Sequence, residues 1–265
     1  MIIVGESINT TRKSVESAVK NKDTGFIRDL ARTQAEAGAH YIDLNAGTLG
    51  EDEPDSLAWL VETVQDEVDA ALCLDSPNPA ALEAALTSCK SKVLVNSITG
   101  ETERFDSIVK LVTKHGTSVV ALCMDDRGIP ETASQRLGVA RDLCDRLVAR
   151  GVAPCDIFVD PLVQPLGVSP EAAIEVLDSV RAVKEQETGV HIIAGLSNVS
   201  FGLPARKLLN RAFLVMLITA GLDAALLDPT DREMMSLIAA SEALLKEDEF
   251  CGQYLAAFRA GKLES

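Results

Sequence analysis

The chain has 265 residues, a formal charge of −15, 47% hydrophobic residues and only 4% aromatic ones. A field of that sign repels phosphate backbones and anionic lipids, which argues against nucleic acid and membrane surfaces as partners and leaves a small ligand or a protein. A core drawn from Val, Ile, Leu and Ala is that of a parallel sheet buried on both faces, and without a linker-like stretch a single α/β domain over residues 1–265 is expected.

The opening Met1-Ile2-Ile3-Val4-Gly5-Glu6-Ser7 has no basic n-region and meets a carboxylate after a few apolar residues. It does not read as a signal peptide, and a cytoplasmic location is expected. From there short β-rich runs at 2–5, 40–44, 71–74, 92–95, 118–124, 156–159, 190–194 and 224–227 alternate with stretches of helical period. The helical stretches are 24–39, 53–68, 78–90, 102–115, 132–150, 169–187, 205–220 and 231–246, and residues 248–265 read as one more short helix. Asn78-Pro79 and Ser169-Pro170 each place a polar N-cap before a first-turn proline, while Gly38, Gly116, Gly151 and Gly221 close helices.

Eight βα units make either an open doubly wound sheet or a closed (β/α)8 TIM barrel. The open sheet, when it holds a dinucleotide, carries a Gly-x-Gly-x-x-Gly turn after its first strand, and that turn is absent. The barrel is therefore expected. The longest apolar run, 212–222, is about half of the roughly 20 residues that span a bilayer. Within 205–220, Phe213, Leu214, Met216, Leu217 and Ile218 point to a helix buried on more than one side, by core packing or in a homodimer interface. Cys73, Cys89, Cys123, Cys144, Cys155 and Cys251 form no Cys-x-x-Cys and read mainly as reduced core thiols.

The strand ends carry the chemistry. Glu6 and Asn9 follow the first run; Asp43 and Asn45 end the second; Asp75 follows the third and Asn96 the fourth. Asp125 and Asp126 follow the fifth, Asp160 the sixth, Ser197 and Asn198 the seventh, and Asp228 the eighth. Any one of these could simply start a turn or cap a helix. In a barrel, however, they converge on one mouth. No strand ends in His, so no metal site is expected. The seventh and eighth ends lack the Gly-rich turn and basic group of a phosphate site. Ionised Asp accepts two parallel hydrogen bonds from a guanidine-like edge, whereas Asn both donates and accepts, a combination that suits a pterin.

Asp75-Ser76-Pro77, Asn96-Ser97, Asp160-Pro161 and above all Gly195-Leu196-Ser197-Asn198-Val199-Ser200-Phe201-Gly202, with Asn210 and Arg211, resemble the pterin-binding methyltransferases. Within that superfamily the chain resembles the methyltetrahydrofolate:corrinoid protein methyltransferases, related to the folate domain of cobalamin-dependent methionine synthase. The opening Gly5-Glu6-Ser7-Ile8-Asn9 and the late Gly221-Leu222-Asp223-Ala224-Ala225 match in order and approximate spacing, with Ser7 where relatives often carry Arg.

The resemblance implies a barrel that holds tetrahydrofolate or 5-methyltetrahydrofolate as substrate and docks a corrinoid (cobalamin) protein over its mouth, in a homodimer. It implies that Asp75, Asn96 and Asp160 grip the pterin, Asn198 hydrogen-bonds near N5, Gly195 and Ser197 line the same site, and Asp43 supports it. Asn198 and Asp160 are the candidate catalytic residues for moving a methyl group between N5 and cobalt, in either direction. Arg12-Lys13 would touch the folate tail or the partner, or simply begin a solvated helix. The rival functions are a dihydropteroate synthase-like pterin enzyme and a non-catalytic binder of folate or of the corrinoid protein.

Overall fold

A computed structural model describes residues 1–264. Eight parallel strands close in sequence order into a TIM barrel: β1 (Ile2–Asn9), β2 (Tyr41–Asn45), β3 (Ala71–Asp75), β4 (Leu94–Thr99), β5 (Ser118–Leu122), β6 (Ile157–Asp160), β7 (His191–Gly195) and β8 (Ala224–Leu227). The seam pairs Ile2 to Gly5 with Ala224 to Leu227. Among the described residues ten α-helices surround it: α1 (Lys13–Lys20), α2 (Thr24–Glu36), α3 (Glu53–Gln65), α4 (Pro79–Ser88), α5 (Thr102–His115), α6 (Ala133–Ala149), α7 (Ala172–Gln186), α8 (Arg206–Ala220), α9 (Arg232–Leu244) and α10 (Gly252–Arg259).

Alternation along the strands sorts the apolar residues into two layers. Val4, Cys73, Leu94, Val120, Phe158, Ile193 and Ala224 fill the barrel interior, and the outward-facing strand residues join the helices in one continuous core. Within this layer Phe158 stacks on His191 with centroids 4.6 Å apart and meets Tyr41 edge-on at 6.5 Å. This apolar layer fills the barrel beneath the polar residues at the carboxyl ends of the strands.

Several local expectations shift. β1 runs on to Asn9 with an irregularity between Gly5 and Ile8, whereas β5 stops at Leu122, short of the expected 124. α1 is an addition: its apolar residues Val15, Ala18 and Val19 are spaced three and four apart in an otherwise polar segment. Asn78 caps α4 as expected, accepting from Ala80 N at 3.0 Å. Ser169-Pro170 does not cap α7; that helix begins at Ala172, and the serine contributes its backbone carbonyl instead. Gly116 and Gly221 close α5 and α8 in the left-handed conformation that glycine adopts without a Cβ penalty.

On α8, Phe213, Leu214, Leu217 and Ile218 are buried within the chain, so core packing accounts for them; Met216 is exposed. Cys73, Cys123 and Cys144 are buried, while Cys155 and Cys251 lie on the surface. Among the described residues no helix is long and apolar enough to cross a membrane.

Candidate active site

A cavity of about 630 Å³ opens over the carboxyl ends of the strands. Asp43 from β2, Asp75 from β3, Asn96 from β4 and Asp160 from β6 all reach it, as do Gly195, Ser197 and Asn198 at the end of β7. Seven residues scattered over 156 positions of sequence therefore share one pocket, because parallel strands in a barrel all end at the same mouth.

Each carboxylate is held differently. Asp75 accepts a hydrogen bond from Asn45 Nδ2 at 2.8 Å on Oδ2. Burial raises its pKa, and the Asn45 bond opposes the rise. Behind it the buried Glu53 accepts from Ser76 Oγ at 2.6 Å and from Asn78 Nδ2 at 3.2 Å, which fixes the turn that follows β3. Asp160 Oδ1 accepts from Leu162 N at 2.7 Å, a contact made possible by a left-handed backbone at Leu162 (φ 64°). Burial pushes Asp160 up to about 7, against the pull of that N–H. Asp43 is deeper still, and its Oδ1 has no hydrogen-bond partner among the described residues. Burial, then the neighbouring Asp75 carboxylate, drive it well above the usual carboxylate range.

The amide end of the site is built on the 3-10 turn at Leu196–Ser200. Arg206, at the start of α8, donates from Nη2 to the Ser197 carbonyl at 2.6 Å and from Nε to Ser200 Oγ at 3.0 Å. The turn is thereby pinned while the exposed Asn198 side chain makes no hydrogen bond within the described residues. Its amide can both donate and accept toward a ligand.

Glu6 and Asn9 also line the cavity, as does Asp228 from the loop after β8. Glu6 is raised by burial and by Asp228, with Arg12 and Arg206 pulling the other way. Of the Arg12-Lys13 pair, Arg12 reaches the cavity and Lys13 does not. The strand-end pattern missed Arg206 and Lys207, which begin α8, and Asp231, which caps α9; Asn210 and Arg211 stood in the resemblance motif, and only Asn210 reaches the cavity. Asp125 and Asp126, by contrast, are absent from the mouth. β5 ends early, Asp125 turns back to bond Gly128 and pairs with Arg127 at 2.6 Å, and Asp126 accepts from Thr102 Oγ1 at 2.7 Å at the start of α5. For those two the local turn and cap reading is the right one.

The sequence profile of the pterin binding enzyme family matches residues 5–228. Over 265 aligned positions the chain is 40% identical to a methylcorrinoid:tetrahydrofolate methyltransferase of Eubacterium limosum, covering 99% of this chain and 98% of that protein. It is 30% identical to the methionine synthase of Mycobacterium tuberculosis over 85% of this chain, a match that spans only 20% of that larger protein. In fold it resembles the dihydropteroate synthase of Xanthomonas albilineans in complex with 7,8-dihydropteroate, with a TM-score of 0.71 and 18% identity over 94% of each chain. With a profile match that spans β1 to β8 and a relative aligned end to end, this chain belongs to the pterin-binding enzyme family.

Proposed function

We propose that this chain is a methylcorrinoid:tetrahydrofolate methyltransferase, which takes a methyl group from a corrinoid carried by a separate protein and places it on N5 of tetrahydrofolate. The observation that carries this reading is the acid and amide set of Asp75, Asn96 and Asp160 in one cavity, beside an unpaired Asn198. These groups fit the substrate: a pterin edge presents an N–H and an NH₂ side by side, which a carboxylate accepts in parallel. Among the described residues Asp160 keeps Oδ2 free of protein hydrogen bonds, and Asp43 holds an unpartnered oxygen behind the site. The rim cations Arg12, Arg206 and Lys207 suit the carboxylates of the folate tail. The full-length relative from Eubacterium limosum supports the direction of transfer.

The corrinoid supplies an electrophilic methyl group bound to cobalt. The new bond forms between that methyl carbon and the N5 lone pair; the electron pair of the broken methyl–cobalt bond stays with the metal, and N5 must then lose its proton. The chain's part is to hold the ring and receive that proton. Asp160, with a pKa near 7, is suited to take it at neutral pH, directly or through water. Asn198 follows the change, its amide N–H facing an unprotonated N5 and its carbonyl a protonated one. No side-chain nucleophile is required, which leaves the cysteines outside the chemistry.

The dihydropteroate synthase-like alternative has less support, because the loop after β8 reads Leu226-Leu227-Asp228-Pro229 and offers a carboxylate where a phosphate would need a cation. Leu208 and Met216, exposed on α8, are consistent with a homodimer, and a cytoplasmic location agrees with folate chemistry. The decisive experiment mixes the protein with tetrahydrofolate and a methylated corrinoid protein or methylcobalamin. Formation of 5-methyltetrahydrofolate with matching loss of the methylcobalt absorbance is expected. Folate binding without turnover on either donor would make the protein a binder, and condensation of p-aminobenzoate with a pterin pyrophosphate would make it a synthase.

A further inference from the structure

Glu6 and Asn9 both reach the cavity although they lie three apart on one strand, which a regular period-two alternation forbids. The register explains how. Gly5 pairs with Ile42 and Ile8 with Leu44, so β1 advances three residues while β2 advances two. One extra residue is accommodated as a bulge, which flips the alternation and turns Ile8 outward into the helical core and Asn9 inward. A bulge leaves a backbone donor without its ladder partner, and an unpaired buried N–H is costly. Here the donor is Ser7, which is buried, and its N–H donates to Gln34 Oε1 at 2.9 Å.

Gln34 is an unusual residue for its place. It continues the inward stripe of α2 after Ile27 and Ala31, where an apolar side chain is the ordinary choice, and is only 1% exposed. Its amide is anchored by a bond from Nε2 to the Leu30 carbonyl at 3.3 Å. The chain also makes room for it: a Cβ on Gly5 would lie 2.5 Å from Gln34 Oε1. We propose that Gln34, outside the cavity, is a positioning residue that holds the β1 bulge in place and so aims the Glu6 and Asn9 side chains at the ligand.

The proposal rests on the folate reading only where affinity is the readout, so two measurements need no ligand. In Gln34→Leu, which keeps the volume and removes the acceptor, the Ser7 amide should lose its hydrogen-exchange protection while Val4 keeps its own. The side-chain carboxyl carbon resonance of Glu6 should move as well. Tetrahydrofolate affinity should fall about tenfold, the worth of roughly one hydrogen bond, with little further loss when Gln34→Leu is combined with Glu6→Gln. Gly5→Ala, which crowds the same oxygen from the other side, should reproduce the exchange and resonance changes, and serves if Gln34→Leu does not fold. Ile27→Val, on the same stripe, should lower stability without either change. A Ser7 amide still protected in Gln34→Leu, an unmoved Glu6 resonance, or losses that add fully to those of Glu6→Gln would overturn the proposal. A wild-type protein that binds no folate would overturn the functional reading and leave the two spectroscopic tests of Gln34 intact.

Discussion

Asn45 Nδ2 and Asp75 Oδ2 lie 2.8 Å apart at the ends of neighbouring strands, so the amide of one strand holds the carboxylate of the next. Burial favours the protonated form of Asp75 and this bond favours the charged one. Removing the amide in Asn45→Ala should therefore raise the Asp75 pKa further and leave the pterin a less fully charged acceptor. Tetrahydrofolate affinity at pH 7 should drop about tenfold, in keeping with roughly 1–2 kcal/mol for a bond to a charged group, and part of the loss should return at higher pH. Calorimetric titration between pH 6 and 9 checks this; a loss independent of pH would mean that Asn45 acts only by shaping the turn.

Asp160 makes a prediction about pH with opposite signs for rate and stability. If it takes the N5 proton, the rate of methyl transfer at saturating substrate should rise as pH passes through about 7 and level off above. Asp160→Asn should remove that limb and lower the plateau. Because the folded pKa lies above the unfolded one, the stability that Asp160 contributes is complete below about pH 4 and is lost as pH rises through about 7. Asp160→Asn should thus raise the melting temperature of the ligand-free protein at pH 8, while it lowers activity. A variant that melts earlier and keeps the wild-type pH profile would make Asp160 a structural cap for the Leu162 turn.

Arg206 ties two groups of the Leu196–Ser200 turn at once, the Ser197 carbonyl and the Ser200 hydroxyl. Lysine cannot reproduce that fork, so Arg206→Lys keeps the charge and loses the geometry. Folate affinity and the saturated rate should each fall, by about tenfold together, with unfolding temperature nearly unchanged, since the residue stands at the exposed start of its helix. Steady-state kinetics beside thermal melts decides the matter, and intact kinetics in Arg206→Lys would reduce the residue to a plain counter-charge for Glu6.

The barrel was legible because each strand is a short run that is apolar on both faces, a pattern that survives without tertiary information. The carboxylates and amides at β2, β3, β4, β6 and β7 were legible for a related reason, since a polar residue directly after such a run can face only the mouth. Where local chemistry offers an Asp another use, the rule fails: Asp125 and Asp126 satisfy a tight turn and the start of α5 and never reach the cavity. The bulge in β1 was invisible because it depends on register against β2 and on Gln34, a residue 27 positions from the backbone it supports. Arg206 and Lys207 carry no signal in the strand-end pattern, since they begin a helix rather than end a strand, and only the folded barrel brings that end of α8 to the pocket.

Asn198 offers the sharpest separation of binding from chemistry. It sits on a turn held from behind by Arg206, its side chain has no protein partner among the described residues, and it lines the cavity beside Gly195, where a Cβ would stand 3.7 Å from its Nδ2. Nothing in the fold therefore depends on the amide, and Asn198→Ala should melt like the wild-type protein. If the amide tracks the proton on N5, its contact is stronger in the transition state than in the ground state, and only such differential contacts accelerate a step. The replacement should then lower the rate of methyl transfer at saturating tetrahydrofolate by about 10²-fold, the usual order for one preorganised polar group, and weaken folate binding far less. Single-turnover transfer from a methylated corrinoid protein, run beside folate binding on each variant, measures both quantities. A weakened affinity with an unchanged saturated rate would remove Asn198 from the chemistry and leave it as a contact to the ring.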